Sequence, residues 1–511
     1  MSVLMMLTFV LTGCHKDGDY VNVVPKDAYA VASVDLKSIV TKCALTDSEN
    51  SRIQQVLGDL VRGGLSAETQ NEAEIIIKSP SELGIDFQSP IYIFASPSFS
   101  QPTVLMRVDD SKKLKSTLET MAKENICQQL GEADGYTFTV IDSELLMFSK
   151  TALIMANFTG HSAYEELKES VTKLLGQAQS ESIASQKIFE KMNARKEDIK
   201  FFASMQAIPV EYRQQLNMTA MNSNTELDDL SILGGLNFGN GDIKLQTTYY
   251  TENKETEEML RKQSKAAETI DRDFLSYFPK STMAYASVGV NGKKLYDVLA
   301  ENKELLDEIP FLSTETGKAV VSSFNGDISV GITALNMSGV PTVLAYAKMK
   351  NSDMLDAIYN GKDFFLNAGF ESIEKKGKNE YIYKSPAVTV YYGMKKKTFY
   401  ATNDKQLFDS VCKDANPSLE DADYVKNIKG KTFFAGIDVK TVLDMPLLKM
   451  AVGMGSAENQ MYYNVASQVD YIEMSNTAEG VNDIRIVLAD KNTNSLRQLV
   501  TFIGQFVGMQ Q

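Results

Sequence analysis

The sequence predicts an α+β protein built from two tandem, diverged repeats, each an antiparallel sheet with packed helices. Three observations carry that prediction. Short stretches of the first half return in the second in the same order. Apolar residues alternate with small or polar ones over many runs of strand length. Charged, helix-favouring segments separate those runs. The clearest echo is VPKDAYAVASV from Val24, which returns as FPKSTMAYASV from Phe278. Pro25, Lys26, Ala30, Ala32, Ser33 and Val34 have identical counterparts between Pro279 and Val288. PTVL at Pro102 recurs at Pro341, KFFA at Lys200 as TFFA at Thr432, and GDIKL at Gly241 as NDIRI at Asn482. Any one match could be chance; four in the same order argue for a duplication.

Each half follows one plan. An extended segment after Pro25 or Pro279 leads into a helical stretch. Two strands follow, PIYIFAS with PTVLMRV in the first half and DISVGITAL with PTVLAYAKM in the second. The second pair turns at Asn336-Met337-Ser338-Gly339, a run of turn-forming residues. A charged helix comes next, within SKKLKSTLETMAKENICQQL or NSDMLDAIYNGKDFFLNAG. Then come YTFTVI with LLMFSK, or YIYKS with VTVYYG, and a further strand near Phe201 or Phe433. SILGGLNF and IKLQTTYYT flank Asn240-Gly241, a strong signal for a hairpin turn. The charged stretch Asn253 to Thr269 reads as a helix linking the halves. At the C-terminus Leu496, Leu499, Val500, Ile503, Phe506 and Val507 recur at helical spacing, a stripe expected to pack on its own sheet.

The chain starts MSVLMMLTFVLTGCHKDGDY. Val3 to Leu11 is uncharged and too short to span a bilayer, which takes about 20 apolar residues. A short apolar run followed by small residues is the pattern of a cleaved secretory signal. Here the small pair Thr12-Gly13 precedes Cys14, and Leu11-Thr12-Gly13-Cys14 resembles the lipobox of bacterial lipoproteins. In that motif diacylglycerol is attached to the cysteine thiol, cleavage precedes the cysteine, and the freed amine is acylated. One acyl chain anchors only marginally at roughly 0.8 kcal/mol per buried CH₂, whereas several hold firmly. No Lys or Arg precedes the apolar run, so the reading expects Met1 to be an internal start. His15 to Asp19 then forms a solvated tether. The layout is therefore a lipoprotein signal peptide over 1–13, a lipidated tether over 14–22, one α+β repeat over 23–252, a connecting helix over 253–274 and a second repeat over 275–511.

Composition narrows the functional classes. The 43% apolar and 23% charged fractions over 511 residues are those of a globular chain. A net charge of −14, without a basic cluster, argues against nucleic-acid partners. Cys43, Cys127 and Cys412 lie far apart, without the spacing of a zinc or redox motif. They read as buried free thiols, with pairing of Cys43 and Cys127 left open.

Candidate chemistry is sparse. The two histidines are His15 in the tether and His161 at a helix start, which leaves no histidine-based triad or zinc set within one half. Gly430-Lys431-Thr432 lacks the glycine spacing and following helix of a phosphate loop. Ser170 and Lys173 match Ser-x-x-Lys, but the companion motifs of penicillin-recognising enzymes are missing, and a solvated helix face explains them. Glu226, Asp228 and Asp229, and Glu420, Asp421 and Asp423, lack the alternation of a calcium loop and read as solvated turns. LNMTAMN from Leu216 and MPLLKMAVGMGSAENQMYYN from Met445 are methionine-rich; a mobile binding lip is conceivable and core packing is the expectation.

The lipobox, the tether and VVPKDAYAVASVDLKSIV together resemble a family of Bacteroides-type lipoproteins, domain of unknown function 4836. The resemblance covers nearly the whole chain. It implies a location and one site residue, Cys14 as the lipidated cysteine, and no activity, cofactor or metal. The expected function is a non-enzymatic binding protein of the cell envelope, held to the outer membrane through Cys14. Its partner would be an envelope protein or a glycan, and the surface-exposed and periplasm-facing orientations both remain open. The alternative is an envelope hydrolase using paired carboxylates on polysaccharide or peptidoglycan.

Overall fold

The computed structural model describes residues 18–43, 83–99, 101–123, 125–208, 229–335, 339–362, 371–453 and 455–507. The apolar leader, Cys14, His15, Glu226, Asp228, Leu216 to Asn222 and Asn336 to Ser338 lie outside them. The fold is α+β, with mixed helices and antiparallel sheet. The chain divides into two compact units. Unit 1 comprises Met1–Ala207, Ile232–Phe238 and Asn494–Gln511; unit 2 comprises Ile208–Ser231 and Gly239–Thr493.

The strands of unit 1 are β1 (Ala30–Val34), β2 (Ile91–Ala95), β3 (Thr103–Arg107), β4 (Gly131–Ala133), β5 (Tyr136–Ile141), β6 (Glu144–Phe148), β7 (Ala152–Asn157), β8 (Ile199–Ser204) and β9 (Ser231–Phe238), whose first residue belongs to unit 2. Its antiparallel order is β8–β1–β2–β3–β7–β6–β5–β4. Its helices include α1 (Leu36–Lys42), α2 (Ser111–Lys123), α3 (His161–Gly176) and α4 (Lys187–Asn193). Asp35 caps α1 by accepting the Ser38 N–H at 2.9 Å, which satisfies one of the unpaired amides of the first turn. Leu114 and Leu118 of α2 pack on Leu146, Phe148 and Leu153 over one sheet face. On α3 and α4 the buried residues include Leu167, Val171, Leu174, Phe189 and Met192, and Phe189 meets Tyr92 ring to ring at 5.8 Å.

The strands of unit 2 are β10 (Asp242–Tyr250), β11 (Ala267–Glu268), β12 (Ala284–Asn291), β13 (Phe324–Leu335), β14 (Pro341–Met349), β15 (Ser372–Gly377), β16 (Glu380–Lys384), β17 (Thr389–Lys395), β18 (Thr398–Thr402), β19 (Phe433–Asp438), β20 (Val469–Asn476) and β21 (Val481–Leu488). The antiparallel order is β10–β21–β20–β19–β12–β13–β14–β18–β17–β16–β15, with the short β11 beside the end of β12. The helices used below are α5 (Lys254–Ala266), α6 (Gly292–Leu299), α7 (Glu315–Ser323), α8 (Asp353–Asn360), α9 (Pro446–Gly453) and α10 (Ala457–Ala466). Asn253 caps α5, accepting from Glu255 N–H at 2.9 Å and Thr256 N–H at 3.4 Å.

One face of this sheet carries an aromatic core of Tyr285, Tyr346, Tyr400 and Phe434, closed over by Phe274, Phe278, Leu419 and Tyr424. Each such side chain contributes roughly 1.5–3 kcal/mol on burial. Phe278 stands edge-on to Tyr285 at 5.1 Å and to Tyr346 at 5.4 Å. The rings lie so close to the sheet that Gly331 has no room for a side chain: a Cβ there would sit 2.8 Å from Phe278 ring carbons. At Gly436 it would sit 2.5 Å from Tyr424 Cδ2.

The strand orders coincide: β8–β1–β2–β3–β7–β6–β5–β4 and β19–β12–β13–β14–β18–β17–β16–β15 connect in the same way. The echoed Pro-Lys stretches occupy equivalent places. Pro25 bridges Ser182 and Pro279 bridges Ser418; Lys26 N–H donates to Glu181 O at 2.9 Å, Lys280 N–H to Pro417 O at 3.0 Å. Two other echoes sit on equivalent strands but slip by two residues. Ala32 opposes Phe201, whereas its counterpart Ala286 opposes Ala435. The fourth echo, in β10 and β21, falls on neighbouring strands of unit 2.

The strands read from the sequence are present. Missed were β4, β7, β11, β15, β18 and β20. The C-terminal helix spans Ser495–Val507, belongs to unit 1 and packs against α1. Among the described residues no helix is long and apolar enough to cross a membrane.

Candidate functional site

Because side chains alternate along a strand, the aromatic core uses one face of the unit 2 sheet and leaves the other to a second set of residues. Three cross-strand rows make up that second face. The middle row runs Leu245–Ile484–Met474–Ala435–Ala286–Val330–Ala345 across β10, β21, β20, β19, β12, β13 and β14. On one side lies Ile243–Ile486–Ile472–Ile437–Ala284–Ile332–Val343. On the other lies Thr247–Asn482–Asn476–Phe433–Val288–Ile328–Ala347. No charged residue occurs in the three rows.

Helices α7 and α8 cover the far end of this face, where Val320, Met354 and Leu355 pack with Ile328, Ala347, Phe399 and Ala401. The remainder is open. Met474 is 45% exposed, Val330 43%, Ile437 46% and Tyr249, next along β10, 50%. Large apolar side chains this exposed on one continuous face mark an interaction site more often than chance scatter.

Helix α5 turns the open face into a cleft. Met259 and Thr256 hold α5 down by burial, and its other side looks across the floor. The cleft has a volume of about 780 Å³; Leu245, Val288, Phe433, Met474 and Ile484 form its floor, and Glu257, Leu260, Arg261, Gln263 and Ser264 its wall. That volume and its mixture of apolar floor and few polar groups are those of a small-molecule site. Arg261 pairs with Glu258 at 3.2 Å. The Gln263 Nε2 amide is shielded from solvent and has no hydrogen-bond partner among the described residues. A buried amide without an acceptor is costly.

The opposite face of β10, β20 and β21 holds a polar network. Arg485 Nε donates to Asp242 at 2.7 Å, and its Nη1 lies 3.6 Å from Glu473. Asp483 accepts from Gln246 at 2.9 Å and Lys431 at 3.2 Å, with Lys244 at 3.3 Å. Burial opposes ionisation of Asp483, yet those donors and Lys244 hold its carboxyl below the usual range. A carboxylate so paired is a poor general acid. The carboxyl of Asp327 is raised, chiefly by burial, but it accepts the N–H groups of Asp271 and Arg272 at 3.0 and 3.1 Å in a turn. It does not line the cleft.

The sequence-predicted groups lie elsewhere. Ser170 donates to the Glu166 carbonyl at 2.9 Å and Lys173 pairs with Glu169 at 2.7 Å, both on exposed helix surface. Lys431 serves the network above, and Thr432 precedes β19. Asp423 pairs with Lys426, and Asp229 accepts from Asn253 Nδ2 at 2.8 Å. Residue His161 opens α3. Cys43 and Cys127 are buried free thiols and Cys412 is a partly buried one. In the Met445 segment, α9 and α10 leave Met450 59% and Tyr462 58% exposed, so core packing does not describe them. Sequence reading missed the cleft itself. Its signal was present as alternating Ala and Ile residues, but their alignment across strands depends on register.

Searching curated proteins finds no similar chain. Among solved structures, crystal form IV of TP0453 is 10% identical, covers 45% of this chain and 80% of its own, and has a TM-score of 0.27. Crystal form III is 8% identical over 48% of this chain and 87% of its own, also at 0.27. Likeness at that level settles neither fold nor function. The family model described as "Domain of unknown function (DUF4836)" matches residues 20–496, and the chain therefore belongs to the DUF4836 family.

Proposed function

We propose that this protein is a lipoprotein of the cell envelope, anchored in the outer membrane through Cys14, whose body is a non-enzymatic binding module. The binding site is the unit 2 cleft. One observation carries the binding reading: a cleft of about 780 Å³ whose floor is an uncharged, open sheet face and whose wall is polar. Leu11-Thr12-Gly13-Cys14 supports the anchor. The coincident strand orders and the shared Pro-Lys turns support a tandem duplication behind the two units.

Two measurements test this reading. Cells fed labelled palmitate should label the native protein and not Cys14→Ser, and only the native protein should sediment with membranes. A photo-crosslinking residue at Tyr249 should capture a defined molecule in intact cells, whereas one at exposed Tyr462 should not. A soluble, unlabelled native chain overturns the anchor. The lack of any adduct at Tyr249 overturns the binding site.

A further inference from the structure

We propose that one end of the β15 to β18 strands, where lysines crowd two adjacent hairpin turns, is a docking surface for an anionic membrane, read through its lipid phosphates. The inference goes beyond the cleft and rests neither on it nor on the anchor at Cys14. Lys378-Asn379 joins β15 to β16, and Lys396-Lys397 joins β17 to β18. Antiparallel pairing brings both turns to the same end of the sheet, where the Met394 N–H donates to Asn379 O at 2.9 Å. Lys375, Lys376, Lys378, Lys395, Lys396 and Lys397 gather there, all exposed, in a chain of net charge −14. Glu374 pairs with Lys376 at 2.7 Å and Asp356 with Lys375 at 3.5 Å. Lys378, Lys396 and Lys397 have no carboxylate partner among the described residues.

The fold itself does not ask for these lysines. In unit 1 the matching turns are Asp134-Gly135 and Lys150-Thr151, one lysine offset by one acid. Lys396 is also held at a φ of 56°, in the left-handed region that side chains resist and that hairpin turns fill with Asn, Asp or Gly. Asp134, Asp142 and Asn379 take that conformation in neighbouring hairpins. Backbone strain kept at an exposed, charged position points to a use for the charge. Guarding an open edge explains Lys375 and Lys376 on the outermost strand β15, but a hairpin tip presents no open ladder. The chemistry selects the partner. Lysines on flexible stems act as point charges, whereas a fork for one phosphate takes arginine. The tyrosines beside the turns, Tyr381, Tyr392 and Tyr400, are buried, so unpaired bases find no stacking platform. Lysine is depleted from protein interfaces. A membrane offers a plane of phosphates, and clusters of roughly four to eight lysines suit it. The two turns stand about two strand spacings, roughly 10 Å, apart. That is close to the Debye length of about 8 Å at physiological salt, so their charges act on such a plane together.

Flotation with vesicles provides the test, using the full chain carrying Cys14→Ser so that no acyl anchor contributes. Binding is expected to vesicles of equal parts phosphatidylcholine and phosphatidylglycerol and not to phosphatidylcholine alone. It should vanish at about 1 M salt, where the Debye length falls to about 3 Å. Lys378→Gln, Lys396→Gln and Lys397→Gln together should weaken it at least tenfold, since each lysine near an anionic surface contributes roughly fivefold. Removing the same charge from unit 1, through Lys112→Gln, Lys123→Gln and Lys150→Gln, should leave it nearly unchanged. Lys396→Asn should weaken binding severalfold while raising the thermal midpoint, because asparagine suits the turn. Equal binding by chains with and without the turn lysines overturns the proposal. So does an equal loss from the two triple variants, or binding to neutral vesicles that salt does not weaken. Tighter binding to heparin, an anionic glycan, than to the anionic vesicles overturns the membrane as partner.

Discussion

The two units reach the same strand order with opposite core chemistry. At the centre of unit 1 sits Val31, flanked across the sheet by Phe94 and Phe202. The equivalent position in unit 2 is Tyr285, flanked by Gly331 and Gly436. Bulk is carried by the neighbours in one unit and by the central strand in the other, and the space above each glycine is taken by Phe278 or Tyr424. The bearer of the bulk changes between the units, and in unit 2 rings from outside the sheet fill the space, as close packing requires.

The outer face differs as well. In unit 1 the row through Ala32 is Phe201–Ala32–Ile93–Val104–Met155, largely bulky. Its alanines fall one row over, as Ala203–Ala30–Ala95. In unit 2 Ala435 and Ala286 stand side by side in the middle row, with Ala284 and Ala347 in the rows beside it. The cause is the two-residue slip of the echoed Phe-Phe-Ala stretch. A slip of two keeps every side chain on its face and moves it to another row. Two different arrangements of small and bulky residues thus come from nearly the same sequence.

Changing the core partners should break the comparison most visibly. Tyr285→Val, which gives unit 2 the central residue of unit 1 without its phenylalanines, leaves a cavity and should cost about 3–5 kcal/mol, read as a lowered unfolding midpoint in urea. Phe94→Ala should cost a similar amount by the same mechanism in unit 1. If both substitutions were tolerated, the reciprocal packing would be wrong.

A second difference concerns Asp198, 4% exposed in unit 1, which accepts from Lys42 and the Phe238 N–H at 2.7 Å and from Ser38 Oγ at 2.6 Å. The structurally equivalent residue of unit 2 is Thr432, whose carbonyl accepts the Gly289 N–H at 2.9 Å and whose hydroxyl donates to the Asn476 carbonyl at 3.3 Å. Asp198→Ala should cost about 3 kcal/mol, because Lys42 and a buried amide lose their partner together. Thr432→Ala should cost about 1 kcal/mol, the worth of an ordinary hydrogen bond. Equal losses in thermal melts would erase this contrast.

One pH effect is expected in unit 2. Burial raises the Asp327 carboxyl in the folded state. A carboxyl raised on folding binds its proton more tightly in the native state, so stability falls as pH rises from the ordinary carboxylate range through the folded value. Asp327→Asn should flatten that slope in melting temperature, and an unchanged slope would assign it to another group. The smallest effect is expected at Met474→Gln, on the open face, within about 0.5 kcal/mol of native by the same melts.

Much of the fold was legible in the chain. Alternation marked β2, β3, β13 and β14, and Asn253 before a charged run marked the start of α5. The Pro-Lys echoes placed β1 and β12, because a proline-led turn and the alternating residues after it act over a few neighbours. The Cys14 motif is local in the same way, complete within four residues, and lies outside the described residues. The cleft was not legible. Its floor gathers Leu245, Ile484, Met474, Phe433 and Val288 from five strands.

What the chain alone determined, then, is which segments become strands and helices and which side of each strand is apolar, since periodicity and capping are local. What only the tertiary structure decided is register. A strand pattern of period two is unchanged by a two-residue shift, so it cannot say whether Ala435 lies beside Ala286 or beside Ala284. Packing of Tyr285 between Gly331 and Gly436 makes that choice on one face, and the row of alanines on the other face follows from it.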